Sequence, residues 1–114
     1  MDMRLYSILP RTPYPQKVKH YFGQPPRLTD GIDRRRDMGP ARLLLLEQRR
    51  EGFFIFRYDA NGSFAGDTWH QNLEDAKHQA EFEYEGFLQP WQEVPEEVKD
   101  AVAFGLERAS ASSA

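Results

Sequence analysis

A β-strand that is apolar on both sides has to be covered on both sides, and residues 53–58 read as such a strand. In Phe53-Phe54-Ile55-Phe56-Arg57-Tyr58, period-two alternation sends Phe53 and Ile55 to one side and Phe54, Phe56 and Tyr58 to the other. Whatever this chain folds into must therefore bring apolar surface to both faces of a sheet.

The strand runs into Asp59-Ala60-Asn61-Gly62 and then Ser63-Phe64-Ala65-Gly66-Asp67-Thr68-Trp69-His70. Asp, Asn and Gly at these offsets suit a hairpin built on a type I turn and closed by a glycine in the left-handed region, here Gly62. With Asp59 facing Ser63, the pattern predicts the pairs Tyr58 with Phe64, Arg57 with Ala65, Ile55 with Asp67, Phe54 with Thr68 and Phe53 with Trp69. One face is then Phe54, Phe56, Tyr58 and Phe64, and the other holds Phe53, Ile55 and Trp69.

Four consecutive leucines, Leu43 to Leu46, lie between Pro40 and the Arg49-Arg50-Glu51-Gly52 turn, a length that predicts a buried strand paired with 53–58. A further strand is expected over residues 5–9. Asn72 is a good N-cap: Leu73 opens an apolar stripe continued by Ala76, Ala80, Tyr84 and Phe87, Glu74 and Asp75 put negative charge on the first turn, and Gly86 supplies the stop. Pro95-Glu96-Glu97 predicts a second helix over 95–108, with Gly105 weakening its middle by about 1 kcal/mol relative to alanine. The expectation is an α+β fold, an antiparallel β-meander of three to four strands packed by one main helix and a C-terminal helix. It divides a single domain into an N-terminal strand and proline-rich wrapping segment (1–40), the meander (41–70), the main helix (72–86), the C-terminal helix (95–108) and a flexible tail (109–114). Within the wrap, Val18, Tyr21 and Phe22 are too apolar for a disordered linker and are expected to pack on the sheet.

A chain of 114 residues is long enough to bury a core without cross-links, and the absence of cysteine excludes disulfides and thiolate chemistry. No signal-peptide core and no apolar stretch of membrane-spanning length occurs, so a cytosolic location and no membrane partner are expected. Fifteen basic and eighteen acidic residues leave a net charge of −3, which argues against a general nucleic-acid footprint. The one basic run, Arg34-Arg35-Arg36, has Arg27, Arg42, Arg49 and Arg50 as possible neighbours but is diluted by Asp30, Asp33 and Asp37. Arginines beside Phe54, Phe56 and Tyr58 could stack bases, yet no RNP-like motif is present.

Two patterns invite a metal. Asp59, Asn61, Ser63 and Asp67 resemble the opening of an EF-hand loop, but the sixth position is Phe64 where glycine is required and the twelfth is His70 where a glutamate is required. Asp67, His70, Glu74 and His78 offer two imidazoles and two carboxylates around the sheet-to-helix junction, with Glu74 and His78 one helical turn apart. Glu81 and Glu85 continue the same side as an ordinary solvated face, so no metal or cofactor is assigned and these four stand as the alternative reading, a small metal-binding protein or enzyme. No serine sits in a nucleophile elbow.

Asp67-Thr68-Trp69-His70, followed by Leu73-Glu74-Asp75-Ala76-Lys77 and Gln79-Ala80-Glu81-Phe82-Glu83-Tyr84, resembles small uncharacterised bacterial proteins with a DTWH strand end and an EDAKxQAEFEY-type helix. The resemblance covers residues 53–91; it implies a bacterial, cytosolic, stand-alone domain and transfers no site residues. The functional expectation is a non-enzymatic protein-interaction module. Because one strongly amphipathic helix cannot cover two apolar faces, the second face falls to the proline-rich segment, the C-terminal helix or a second copy of the chain, and a homodimer is favoured with Phe53, Ile55, Trp69 and Phe82 near the contact.

Overall fold

A computed structural model describes residues 2–15, 17, 18, 20–22, 36, 37 and 39–111. The elements in chain order are β1 (Arg4–Ile8), β2 (Tyr21–Phe22), β3 (Arg36–Asp37), β4 (Leu43–Arg49), β5 (Gly52–Tyr58), β6 (Phe64–His70), α1 (Leu73–Glu83), β7 (Gln92–Glu93) and α2 (Ala101–Ala111). The fold is α+β. A five-stranded sheet has the order β6-β5-β4-β1-β7, and β2 pairs with β3 as a separate two-stranded ribbon. Every pairing is antiparallel. The expected meander is β4-β5-β6; β1 is its fourth strand, and the short β7 adds a fifth that no sequence pattern announced.

The two helices lie on opposite faces. Along β4 the leucines alternate: Leu44 and Leu46 pack with Leu5, Ile55, Ala76, Ala80 and Tyr84 under α1, while Leu43 and Leu45 pack with Tyr6, Ile8, Val94 and Ala101 under α2. Four leucines in a row are thus what a central strand buried on both faces requires. The C-terminal helix supplies the cover that the second face needed over β1 and β4.

Helix α1 begins where expected, with the Asn72 side chain accepting from the Asp75 backbone N–H at 2.8 Å. It ends at Glu83, earlier than the predicted 72–86, with Tyr84 as its cap and Gly86 at φ +84° in the turn that follows. The predicted helix 95–108 is corrected more substantially. Arg4 donates to the carbonyls of Pro95 at 2.9 Å and Val98 at 2.7 Å, and the Val98 N–H closes a turn onto Pro95. The segment before the helix is held in this turn by Arg4, and α2 starts only at Ala101, where the Asp100 carboxylate accepts from Ala103 N–H at 3.0 Å. The helix also runs further than predicted: Ala109, assigned to a flexible tail over 109–114, is buried, and Arg42 donates to its carbonyl at 2.7 Å. Residues 112–114 lie outside the described residues.

The hairpin turn is as predicted: the Asp59 carboxylate accepts from Asn61 and Ser63 N–H, and Gly62 sits at φ +84°. Tyr58 pairs with Phe64 as expected, but the outer register is shifted by one: Phe56 faces Asp67, Ile55 faces Thr68, Phe54 faces Trp69 and Phe53 faces His70. The cause is a β-bulge that sets Ala65 and Gly66 against Arg57, and Gly66 takes φ +111° there. This extra residue moves Trp69 from the predicted Phe53–Ile55 face to the α2 face. Of the wrapping segment, Tyr14 packs on Tyr84 and Phe87 and the Lys17 N–H reaches the Glu83 carbonyl. The expected packing of the Tyr21 and Phe22 side chains, and Arg27, Arg34 and Arg35, lie outside what is described.

Candidate interaction surface

Helix α2 lies over β1 and β4, and the other half of that sheet face is left partly open. There the register puts Phe54, Phe56, Tyr58, Phe64 and Trp69 side by side on the β5–β6 hairpin. Phe54 and Phe56 stack at 5.7 Å, Tyr58 meets Phe64 edge-on at 6.1 Å, and Arg49 lies 4.8 Å over the Phe56 ring. Phe64 is 48% exposed and Trp69 54% exposed, one at each end of an edge strand. Trp69 is nonetheless held in place: its indole N–H donates to the Glu51 carbonyl at 2.9 Å, and a Cβ on Gly52 would lie 2.5 Å from that nitrogen. Gly52 is where the ring lies across the β4–β5 turn.

The other residues singled out in the sequence are dispersed. Ile55 is completely buried under α1 and Phe53 packs at the margin of the same core, so neither offers a partner much surface. Phe82 is 54% exposed on α1, on the far side of the sheet from Trp69. Asp67 and His70 project to opposite faces, because Asp67 pairs beside Phe56 on the α2 side whereas His70 lies with Thr68 on the α1 side. Glu74 and His78 are exposed on α1. No group of three or more His, Cys, Asp or Glu residues arranged to hold a metal occurs among the described residues. Arg42, a possible member of a basic patch, is instead buried and donates to the carbonyls of Leu9 and Ala109.

What the sequence did not disclose is a buried ion pair beneath α1. Arg57 and Glu83 are both fully enclosed, joined by Nη2 to Oε2 at 2.6 Å and Nε to Oε1 at 3.2 Å. Gln79 donates to Oε2 at 2.7 Å, and His20 Nε2 lies 2.9 Å from Oε1; facing an ionised carboxylate, that nitrogen carries the hydrogen. Gly66 makes room for this histidine, since a Cβ there would lie 2.8 Å from His20. Burial alone would raise the Glu83 carboxyl, but the His20 hydrogen bond and the Arg57 charge outweigh it and hold the group at about 2. On the other side Arg57 donates to Thr68 Oγ1, whose hydroxyl lies 2.7 Å from His70 Nε2. Burial and the Arg57 charge push His70 below its ordinary value, consistent with an Nε2 lone pair that accepts from Thr68. Since no solvent reaches Arg57 or Glu83, no substrate does either, and their chemistry is that of a staple. The sequence signal was present in the periods: Arg57 alternates with Phe53 and Ile55, and Glu83 follows Ala76 and Ala80 at helical spacing.

A cleft of about 660 Å³ is lined by Pro10, Pro13, Tyr14, Pro40, Arg42 and Asp59, together with Arg11, Thr12 and Asn61. Three of its polar side chains are engaged within the fold: Tyr14 by the Ala41 carbonyl, Arg42 by Leu9 and Ala109, and Asp59 by its own turn. No helix among the described residues is long and apolar enough to cross a membrane. Comparison of the chain with protein-family models, curated proteins and solved structures finds no match.

Proposed function

We propose that this chain is a non-enzymatic interaction module of a bacterial cytosol that pairs with a second copy of itself through the aromatic face of the β5–β6 hairpin. The observation that carries the reading is the exposure of Trp69 and Phe64 on the same face as Phe54 and Phe56. Aromatic side chains of this size, left open and contiguous, mark interaction surfaces. A second copy is the partner that suits them: Phe64 and Trp69 flank Asp67 at the two ends of β6, and a twofold axis near Asp67 exchanges the ends, laying Trp69 of one copy on Phe64 of the other. Arg49 and Asp67 give the same face both signs of charge, so the face does not repel its own copy by net charge. The bulge at Gly66 blunts the β6 edge, so contact is through the face and not by extending the sheet.

Sedimentation equilibrium over micromolar concentrations tests this. A monomer–dimer equilibrium is expected, and Trp69→Lys or Phe64→Lys should abolish it while leaving the far-ultraviolet circular dichroism unchanged. A single monomer mass at every concentration would overturn the self-pairing.

A further inference from the structure

We infer that the cleft at the C-terminal end of α1 is a binding site for a methylated ammonium group, held against Phe82 and Trp91 beside the carboxylates of Glu81 and Glu85. The cleft has a volume of about 640 Å³, and its lining also includes Leu88 and Pro90. Aromatic faces attract cations through their quadrupole, and a methylated ammonium is the cation that loses least by leaving water for apolar walls. The field has the matching sign. A helix C-terminus carries about half a unit of negative charge, and the last turn of α1 contains no basic residue while Glu81 and Glu85 flank it.

One ammonium already lies against two of the residues that line the cleft. Lys17, arriving from the N-terminal segment, places Nζ 5.2 Å from the Phe82 ring centre and pairs with the Glu85 carboxylate. The pair is exposed on both sides, so a ligand displaces it at little cost. Lys17 is not one of the residues that line the cleft, but it touches two that do, and so shows the Phe82 ring and the Glu85 carboxylate holding an ammonium together. The site lies on the α1 side of the sheet, away from Trp69, and does not rest on the proposed self-pairing.

The test is a titration of the full chain with choline and, separately, with free trimethyl-lysine, following the indole N–H resonances. The Trp91 indole N–H is buried and has no acceptor among the described residues, so its shift is a sensitive reporter; the Trp69 indole, bonded to Glu51, is the internal control. A saturable shift of Trp91 alone is expected, and the tighter of the two ligands identifies the source of the head group. Phe82→Ala and Glu85→Gln, both at exposed positions, should each weaken binding by about tenfold, and Lys17→Ala should tighten it by about threefold. No saturable shift, an equal affinity for the neutral isostere 3,3-dimethylbutan-1-ol, or no tightening in Lys17→Ala would each overturn the inference.

Discussion

An ionised carboxylate enclosed on every side persists only if its lone pairs are met, and Glu83 is met by Arg57, His20 and Gln79. Removing one member leaves the other as an uncompensated charge. Arg57→Leu is therefore expected to cost about 3–5 kcal/mol, whereas Arg57→Met combined with Glu83→Leu should cost far less, since neither charge remains to be solvated. Urea denaturation of the two variants checks this, and equal losses would show that the pair acts through its bulk and not its charge. The pH dependence follows from the direction of the shift. The folded carboxyl is held at about 2 against an ordinary 4.5, so its stabilisation is complete above pH 4.5 and is lost as the pH falls toward 2. Over that window the unfolding free energy should fall more steeply in the parent chain than in Glu83→Gln; parallel acid slopes would sink the assignment.

Gly105 shows how packing reverses a propensity argument at the level of the element. Helix propensity alone predicts that Gly105→Ala stabilises α2 by about 1 kcal/mol. In the fold, a Cβ at that position would lie 2.6 Å from Leu43 Cδ1 and 2.7 Å from Cδ2, and Leu43 is fully buried in the sheet. Overpacking of this kind costs about 1–3 kcal/mol, so the substitution is expected to lower the melting temperature; an increase would show that α2 can stand off from β4. The same contrast separates what was legible from what was not. The four leucines, the Asn72 cap and the Asp59–Gly62 turn are set by neighbours within a few residues, and each appears where the sequence placed it. The outer register of β6 turns on one extra residue at Gly66, which the alternation of Phe64 and Trp69 cannot reveal. The Arg4 contacts that precede α2 join residues 91 apart, and the Arg57–Glu83 pair spans 26 residues; periodicity places Arg57 and Glu83 each on a buried face but does not tell that the two meet.

For the whole molecule, the governing fact is that one sheet has two different lids. Helix α1 covers Leu44, Leu46 and Ile55, and α2 covers Tyr6, Ile8, Leu43 and Leu45. A chain ended after residue 99 keeps the first lid and loses the second. It is expected to bind a hydrophobic dye such as ANS and to lose the cooperative unfolding of the parent, as apolar surface laid open on a sheet does. Unchanged cooperativity without dye binding would mean that α2 contributes little to the fold.

The strand order gives that second lid a consequence in time. Strand β4 pairs with β5, its neighbour in the chain, and with β1, near the beginning, so most of the sheet can form on a nascent chain before residues 101–111 have been made. At roughly 5–20 residues per second, Leu43 and Leu45 wait a few seconds for α2 after β5 has been synthesised. During that interval the nascent chain carries an apolar sheet whose α2 face is uncovered, the kind of surface that chaperones hold and that a neighbouring nascent chain can capture.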